Sequence, residues 1–220
     1  MKCPPETLEV GEEKVYLKSD STVYLSFRDL VHGYEYPNGN SIEGQILGRG
    51  NFVMGDINYL DKETGKGKSG PYWTVGAQGV EIEYDPKEYS YRLLKAATVI
   101  DAGNVLNPAM ADAVIKGGVC MGLGLASREA FSYDSYGRVL DTSLRTYKVM
   151  HFGQTPQYFV EYVETPQLES PYGTRGIGEH GILGIPAALG NALSLASGTE
   201  LDFLPLEPGA IWRAKTGGVS

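Results

Sequence analysis

The sequence predicts an α+β fold in which hairpins and a mixed sheet pack with two main helices. Runs that alternate apolar and polar residues come in neighbouring pairs, Leu8–Val10 with Lys14–Leu17 and Tyr72–Tyr84 with Tyr91–Ile100, as antiparallel hairpins do. Two long apolar segments open on helix-start signals, Asn107-Pro108 and Pro186. Hairpins alternating with helices belong to α+β domains, whereas a doubly wound parallel sheet needs repeated strand–helix–strand units.

The elements follow in order. Gly11 is expected in the turn of the first hairpin, and Val23–Leu25 in another short strand. Ser26 can cap a helix through Leu30, with Asp29 three residues on completing a capping box. From Tyr34 to Gly70 the chain is rich in Asn, Gly, Asp and Lys, with one predicted strand over Gln45–Val53. Lys66-Gly67-Lys68-Ser69 faintly echoes a phosphate loop but lacks its spacing and the apolar helix behind it. Asp85-Pro86 makes the turn of the second hairpin, whose Trp73 and tyrosines read as core and strand-pairing residues. Asn107 then caps a helix that has Pro108 in its first turn and Met110, Val114, Ile115 and Val119 at helical spacing. Gly117, Gly118, Gly122 and Gly124 each weaken that helix by up to ~1 kcal/mol relative to alanine, so something packs closely against it. Asp134–Gly137 is a turn, Gln157–Val163 a strand, Phe203–Leu206 a short strand, and Pro208–Ser220 a loose or docked tail.

Composition bounds the function. The 220 residues can bury a sizeable core, and they read as one α+β unit over 1–220. Within it lie a partial subdomain over 1–70, a core over 71–206 and a tail over 207–220. Nineteen Lys and Arg against 27 Asp and Glu leave a net charge of −8, which argues against nucleic acid or an anionic membrane as partner. No apolar run approaches ~20 residues, so a transmembrane helix is not expected. The first residues lack the apolar stretch of a signal peptide, and a cytoplasmic setting is expected. Cys3 and Cys120 are too few for a disulfide scaffold, a zinc site or an iron–sulfur site.

The 29 glycines are interleaved with Val, Ile, Leu and Tyr, the pattern of tight turns in an ordered domain. They concentrate in Ser170–Gly181, where Gly173, Gly176, Gly178 and Gly181 flank one carboxylate, Glu179, ahead of a helix over Ile182–Ala196. A carboxylate there either serves catalysis or helps start the helix, since free N–H groups and the dipole favour negative charge. Gly176–Gly181 also spells the dinucleotide fingerprint G-x-G-x-x-G, but too little chain follows to build the required strand–helix–strand unit.

Three stretches, in order, carry a resemblance to a known family. Val99-Ile100-Asp101-Ala102-Gly103 to Leu106-Asn107-Pro108, Gly117–Ala126, and Pro171–Glu179 resemble the strand and Asn-Pro helix start, the cofactor-side glycine helix and the final motif of the molybdenum hydroxylases. These are the xanthine dehydrogenase and aldehyde oxidase enzymes, and the likeness is clear from Tyr72 to Pro205. It implies that Glu179 is the active-site base and that Gly118, Met121, Gly122 and Gly178 lie at a molybdenum–molybdopterin cofactor, the cytosine dinucleotide form included. Met121 stands where the family commonly has glutamine, whose amide hydrogen bonds a thioether cannot replace. His180 replaces the proline that often follows the glutamate and reads as a supporting or capping residue, while Arg175 would hold the glutamate or an anionic substrate.

The implied reaction hydroxylates an aldehyde or N-heteroaromatic (purine-like) carbon with oxygen from water. Its base should be largely shut off from solvent. Iron–sulfur clusters and FAD would lie on partner chains, and the family's upstream cofactor loops on the remainder of the molybdopterin subunit. The expectation is a half-site, inactive alone, in a fragment or split subunit. The competing reading is a non-catalytic interaction module that keeps the fold.

Overall fold

The computed structural model describes residues 3–40, 42, 47–55, 57–70 and 72–217. Contacts divide the chain into two compact units, Met1–Val53 and Met54–Ser220, where the sequence suggested one unit with an internal boundary at residue 70.

In the first unit β1 (Leu8–Gly11), β2 (Lys14–Leu17) and β3 (Asp20–Ser26) form an antiparallel sheet in that order. The predicted hairpin is present, but Gly11 pairs with Lys14 inside the ladder. Glu12 and Glu13 make the turn instead, at φ 50° and 58°, because a two-residue turn that matches strand twist needs two left-handed residues. The predicted cap forms, with Ser26 Oγ accepting from Asp29 N at 3.2 Å to start α1 (Phe27–Val31), but the Asp29 carboxylate accepts from the Ser26 hydroxyl at 2.7 Å and not from its backbone N–H. Residues 47–53 carry no strand, and the rest of the predicted strand, Gln45 and Ile46, lies outside the described residues.

The second unit holds the candidate site. β4 (Gly76–Asp85) pairs antiparallel with β5 (Ser90–Asp101), and β5 pairs parallel with β6 (Gln157–Val163), a mixed sheet in the order β4-β5-β6. Along β4 burial alternates, with Gln78, Val80, Ile82 and Tyr84 turned to one face. The other face carries exposed cross-strand ion pairs, Lys95 with Glu81 at 2.8 Å and Arg92 with Glu83 at 2.7 Å. Two main helices cover the inner face, α2 (Pro108–Ser127) and α3 (Ile185–Ser197). Ile115, Leu123, Ile185, Leu189 and Leu193 are fully buried between helices and sheet.

Both helix starts form as predicted. Asn107 Oδ1 accepts from Met110 N at 3.1 Å with Pro108 in the first turn, and α3 has Pro186 in its first turn and left-handed Gly198 at its end. Helix α2 is long and apolar enough to cross a membrane by length and composition, contrary to the sequence expectation. Its buried side forms the core of this unit instead.

Three further differences have local causes. Tyr72–Val75 precedes the sheet without joining it, and Trp73, expected in the core, is 88% exposed. Phe203–Leu206 is irregular because its backbone bonds elsewhere: Leu206 N donates to Ala126 O at 2.7 Å, and its carbonyl accepts from Tyr91 Oη at 3.0 Å. The tail contains a helix, α4 (Pro208–Thr216), docked through fully buried Ile211.

Candidate active site

The glycine-rich loop is tied first to the chain leaving β5. Gly173 O accepts from Asn104 N at 2.9 Å and from Gln167 N at 3.0 Å, and Asn104 Nδ2 donates to Tyr172 O at 2.7 Å. Arg175 N donates to Ala102 O at 2.8 Å. Gly103 sits at φ 61° with its Cα facing the Gly173 carbonyl, where any Cβ would collide; only glycine satisfies both demands.

Arg175 and Asp101 lock the next stretch. The Arg175 side chain, 13% exposed, donates from Nη1 to Trp73 O at 2.7 Å, and its Nε lies 3.6 Å from Asp101 Oδ1. Tyr72 lies under the guanidinium, 5.7 Å from ring centre, and its hydroxyl accepts from Gly176 N at 3.0 Å. Asp101 Oδ1 also accepts from Gly103 N at 3.1 Å and Thr165 N at 3.2 Å. Desolvation pushes the Asp101 carboxyl up, but the Gly103 and Thr165 donors and the Arg175 charge outweigh it and hold the group below its usual range. Arg175 thus faces Asp101 and bonds the 72–74 segment, and no ion pair joins it to Glu179 among the described residues.

Glu179 follows on a turn held from two sides. On one side Gly181 presses against α2: a Cβ on Gly118 would lie 2.8 Å from Gly181 Cα, and a Cβ on Gly181 2.9 Å from Gly118 Cα. On the other, Gln78 reaches from β4, donating to Gly181 O at 2.8 Å and accepting from Gly184 N at 2.6 Å. Glu179 itself is exposed, and a Cβ on Gly178 would meet open space. Nothing among the described residues covers the carboxylate, so the shelter expected of a base is not supplied by this chain's described part. Five residues separate Glu179 from Ile185, and α3 begins on Gly184 without a side-chain cap. The capping alternative for Glu179 therefore does not describe this turn.

The other expected site residues divide. Gly118 and Gly122 are buried against Gly181 and Ile185, so chain packing accounts for their missing side chains. Gly117 and Met121 lie on the opposite side of α2, Gly117 toward open space and Met121 53% exposed. His180 lies half-buried, with Nδ1 buried and unpartnered among the described residues, and it caps no helix. Gln78 and Asp101 carry more of the site's geometry than the sequence reading assigned them. The signal for Gln78 was a polar residue on the apolar register of a strand.

Two cavities flank the loop. One of 310 Å³ lies between the start of α2 and Thr174–Ile177, and one of 290 Å³ is lined by Gln78, Thr98, His180 and Gly184. Glu179 lines neither. A larger cavity of 800 Å³ opens elsewhere, between Tyr91, Arg128, Lys148 and Glu207, and holds none of the loop residues. Burial pushes the Tyr91 phenol at its edge up to about 12, with Arg128 opposing and Glu207 reinforcing the shift.

A glutamate on a glycine-pinned turn beside a glycine-bearing helix can be compared with known proteins. Residues 1–156 match the family model of the molybdopterin cofactor-binding domain. The chain belongs to that family, within the molybdenum hydroxylases. The large subunit of nicotine 6-hydroxylase from Paenarthrobacter nicotinovorans is 32% identical over 152 residues, 68% of this chain and 19% of that protein. The putative xanthine dehydrogenase molybdenum-binding subunit of Escherichia coli is 32% identical over 134 residues, 60% and 18% respectively. Among solved structures, aldehyde oxidoreductase from Desulfovibrio gigas aligns with TM-score 0.67 and 25% identity over 72% of this chain and 17% of its own. Quinoline 2-oxidoreductase from Pseudomonas putida shares the fold, with TM-score 0.62 over 97% of this chain and 26% of its own. The chain therefore spans about a fifth of the length of the curated relatives it matches.

The residues that a cofactor could approach are exposed: Gly117 and Met121 on α2, and Gly178 and Glu179 on the loop, with open space at both glycines. No cluster of three His, Cys, Asp or Glu side chains placed to hold a metal ion occurs among the described residues.

Proposed function

We propose that this chain forms one wall of a molybdenum hydroxylase active site, with Glu179 as the base. The reaction is oxidative hydroxylation of an aldehyde or N-heteroaromatic carbon with oxygen from water. When bound, the molybdenum–molybdopterin cofactor, in its cytosine dinucleotide form or without it, would supply the oxidising centre that takes the hydrogen of the broken substrate C–H bond together with its two electrons. Glu179 accepts the proton released as the water-derived hydroxyl attacks the carbon. Gly178 lets the main chain come close to the cofactor, and Met121 meets it from α2. The remainder of the molybdopterin subunit, in a cytoplasmic setting, covers Glu179 and completes the cofactor site. Partner chains with iron–sulfur clusters and FAD carry the electrons away.

The observation that carries this reading is a single exposed carboxylate on a turn whose backbone is held from both the sheet and α2. A base must be aimed before its partner groups arrive, and a turn gripped on both sides does that. In the molybdenum-loaded complex Glu179→Gln is expected to lower turnover at least ~10³-fold while molybdenum content stays at the wild-type level, since amide and carboxylate are nearly isosteric. Near-normal turnover would remove the assignment.

A second reading, a non-catalytic interaction module, draws on Met121, which puts an apolar thioether on the open edge where the family commonly has an amide. Metal analysis separates the two. Molybdenum at about one atom per complex supports the enzyme, and its absence from a complex that otherwise assembles supports the module.

A further inference from the structure

We infer that Gln78 is a positioning residue for Glu179, acting through the turn that carries it; the inference rests on the reading of Glu179 as the base. Gln78 stands on β4 in the register of Val80, Ile82 and Tyr84, which face the core. A polar side chain there must find partners, because an amide buried without them loses its hydrogen bonds to water and gains none in return. Its Nε2 donates to Gly181 O at 2.8 Å and to Thr98 Oγ1 at 3.0 Å, and its Oε1 accepts from Gly184 N at 2.6 Å. One amide group thus spans the turn from Gly181 to Gly184, using its donor and its acceptor at opposite ends.

The surrounding residues are fitted to this bridge. A Cβ on Gly184 would stand 2.8 Å from Gln78 Oε1, so glycine is what lets the amide reach the backbone. Thr98, 2% exposed on β5, accepts the second amide hydrogen and fixes which way the amide faces. Gly181 is meanwhile pressed on Gly118 of α2. Glu179 is two residues ahead of Gly181, and the hydrogen bond it enters among the described residues is through its carbonyl, which accepts from Ile182 N at 3.3 Å. Its carboxylate is aimed by backbone alone, and that backbone is held at Gly181 and Gly184. Leucine at position 78 would match the apolar register but release both ends of the turn. Glutamate would keep the acceptor for Gly184 and lose the donor for Gly181 and Thr98.

Amide exchange and steady-state kinetics on the same variants test this. In the 220-residue chain, Gln78→Leu is expected to speed exchange at Gly184 about tenfold while amides in the middle of α2 keep their protection. Gln78→Glu should preserve protection at Gly184, which also provides the test if the leucine variant fails to fold. In the molybdenum-loaded complex, assayed with an aromatic aldehyde and an N-heteroaromatic as probe substrates, Gln78→Leu should lower kcat about 10²-fold, the scale of a misplaced catalytic group, with KM within about twofold. Gln78→Glu should fall between it and the wild type. Unchanged exchange at Gly184 in Gln78→Leu, or faster exchange with kcat within twofold of wild type, would overturn the positioning role. Full turnover in Glu179→Gln would sink the base assignment separately, because the exchange result does not depend on it.

Discussion

Asp101 and Arg175 hold the approach to the turn that carries Glu179, and the direction of the Asp101 shift sets a pH dependence. Its carboxyl lies below the ordinary value of 3.8, with the Gly103, Thr165 and Arg175 interactions outweighing desolvation. A depressed carboxyl contributes stability that is fully present above the unfolded value and lost as pH falls through the folded value. The wild type should therefore exceed Asp101→Asn by about 1–2 kcal/mol at pH 6, the scale of hydrogen bonds to a charged group, with the gap closing below pH ~3.8. Urea unfolding of both proteins across pH 3 to 6 measures this. A constant gap across that range would mean that the charge on Asp101 is not what holds the loop. Asp101 and Gln78 were visible in the sequence only as a turn residue and a strand residue, because Thr165 lies 64 positions from Asp101 and Gly184 lies 106 from Gln78.

At the level of elements, α2 separates two kinds of glycine that look alike in sequence. Gly118 packs on Gly181, whereas Gly117 faces open space. Gly118→Ala should destabilise by about 1–3 kcal/mol, because backbone on both sides must move to admit the methyl group. Gly117→Ala should stabilise the isolated chain by up to about 1 kcal/mol through helix propensity alone. Thermal unfolding of the two variants tests this, and equal effects would discard the packing explanation. The two helix starts were legible because caps and first-turn prolines act locally. The role of Gly118 and Gly122 was not, since close approach to a cofactor and close approach to another segment ask for the same residue.

Across the whole molecule, the docked C-terminal helix belongs to the core of the second unit. Ile211 is as buried as Leu123 and Ile185, so Ile211→Ala should cost about 2–5 kcal/mol. A change below ~0.5 kcal/mol in chemical unfolding would show that α4 lies loosely on the surface. In the sequence this segment reads as a tail because its apolar residues are few, and one buried isoleucine decides the matter. The outer side of α2 leaves Met110, Val114, Met121 and Leu125 exposed. With about a fifth of the relatives' length in this chain, a covered active site is a property of the larger assembly in the function proposed above.

By itself the sequence determined the family, the hairpins, the helix starts and the glutamate at the centre of the final motif. Each depends on residues close together in the chain, through alternation, capping or a contiguous motif. Tertiary structure alone decided that Arg175 faces Asp101, that Gly118 and Gly122 admit Gly181 and Ile185, and that Gln78 bonds the backbone of the turn after Glu179. Those assignments depend on which distant groups meet, and local sequence carries no record of the partner until the sheet and the two helices have packed.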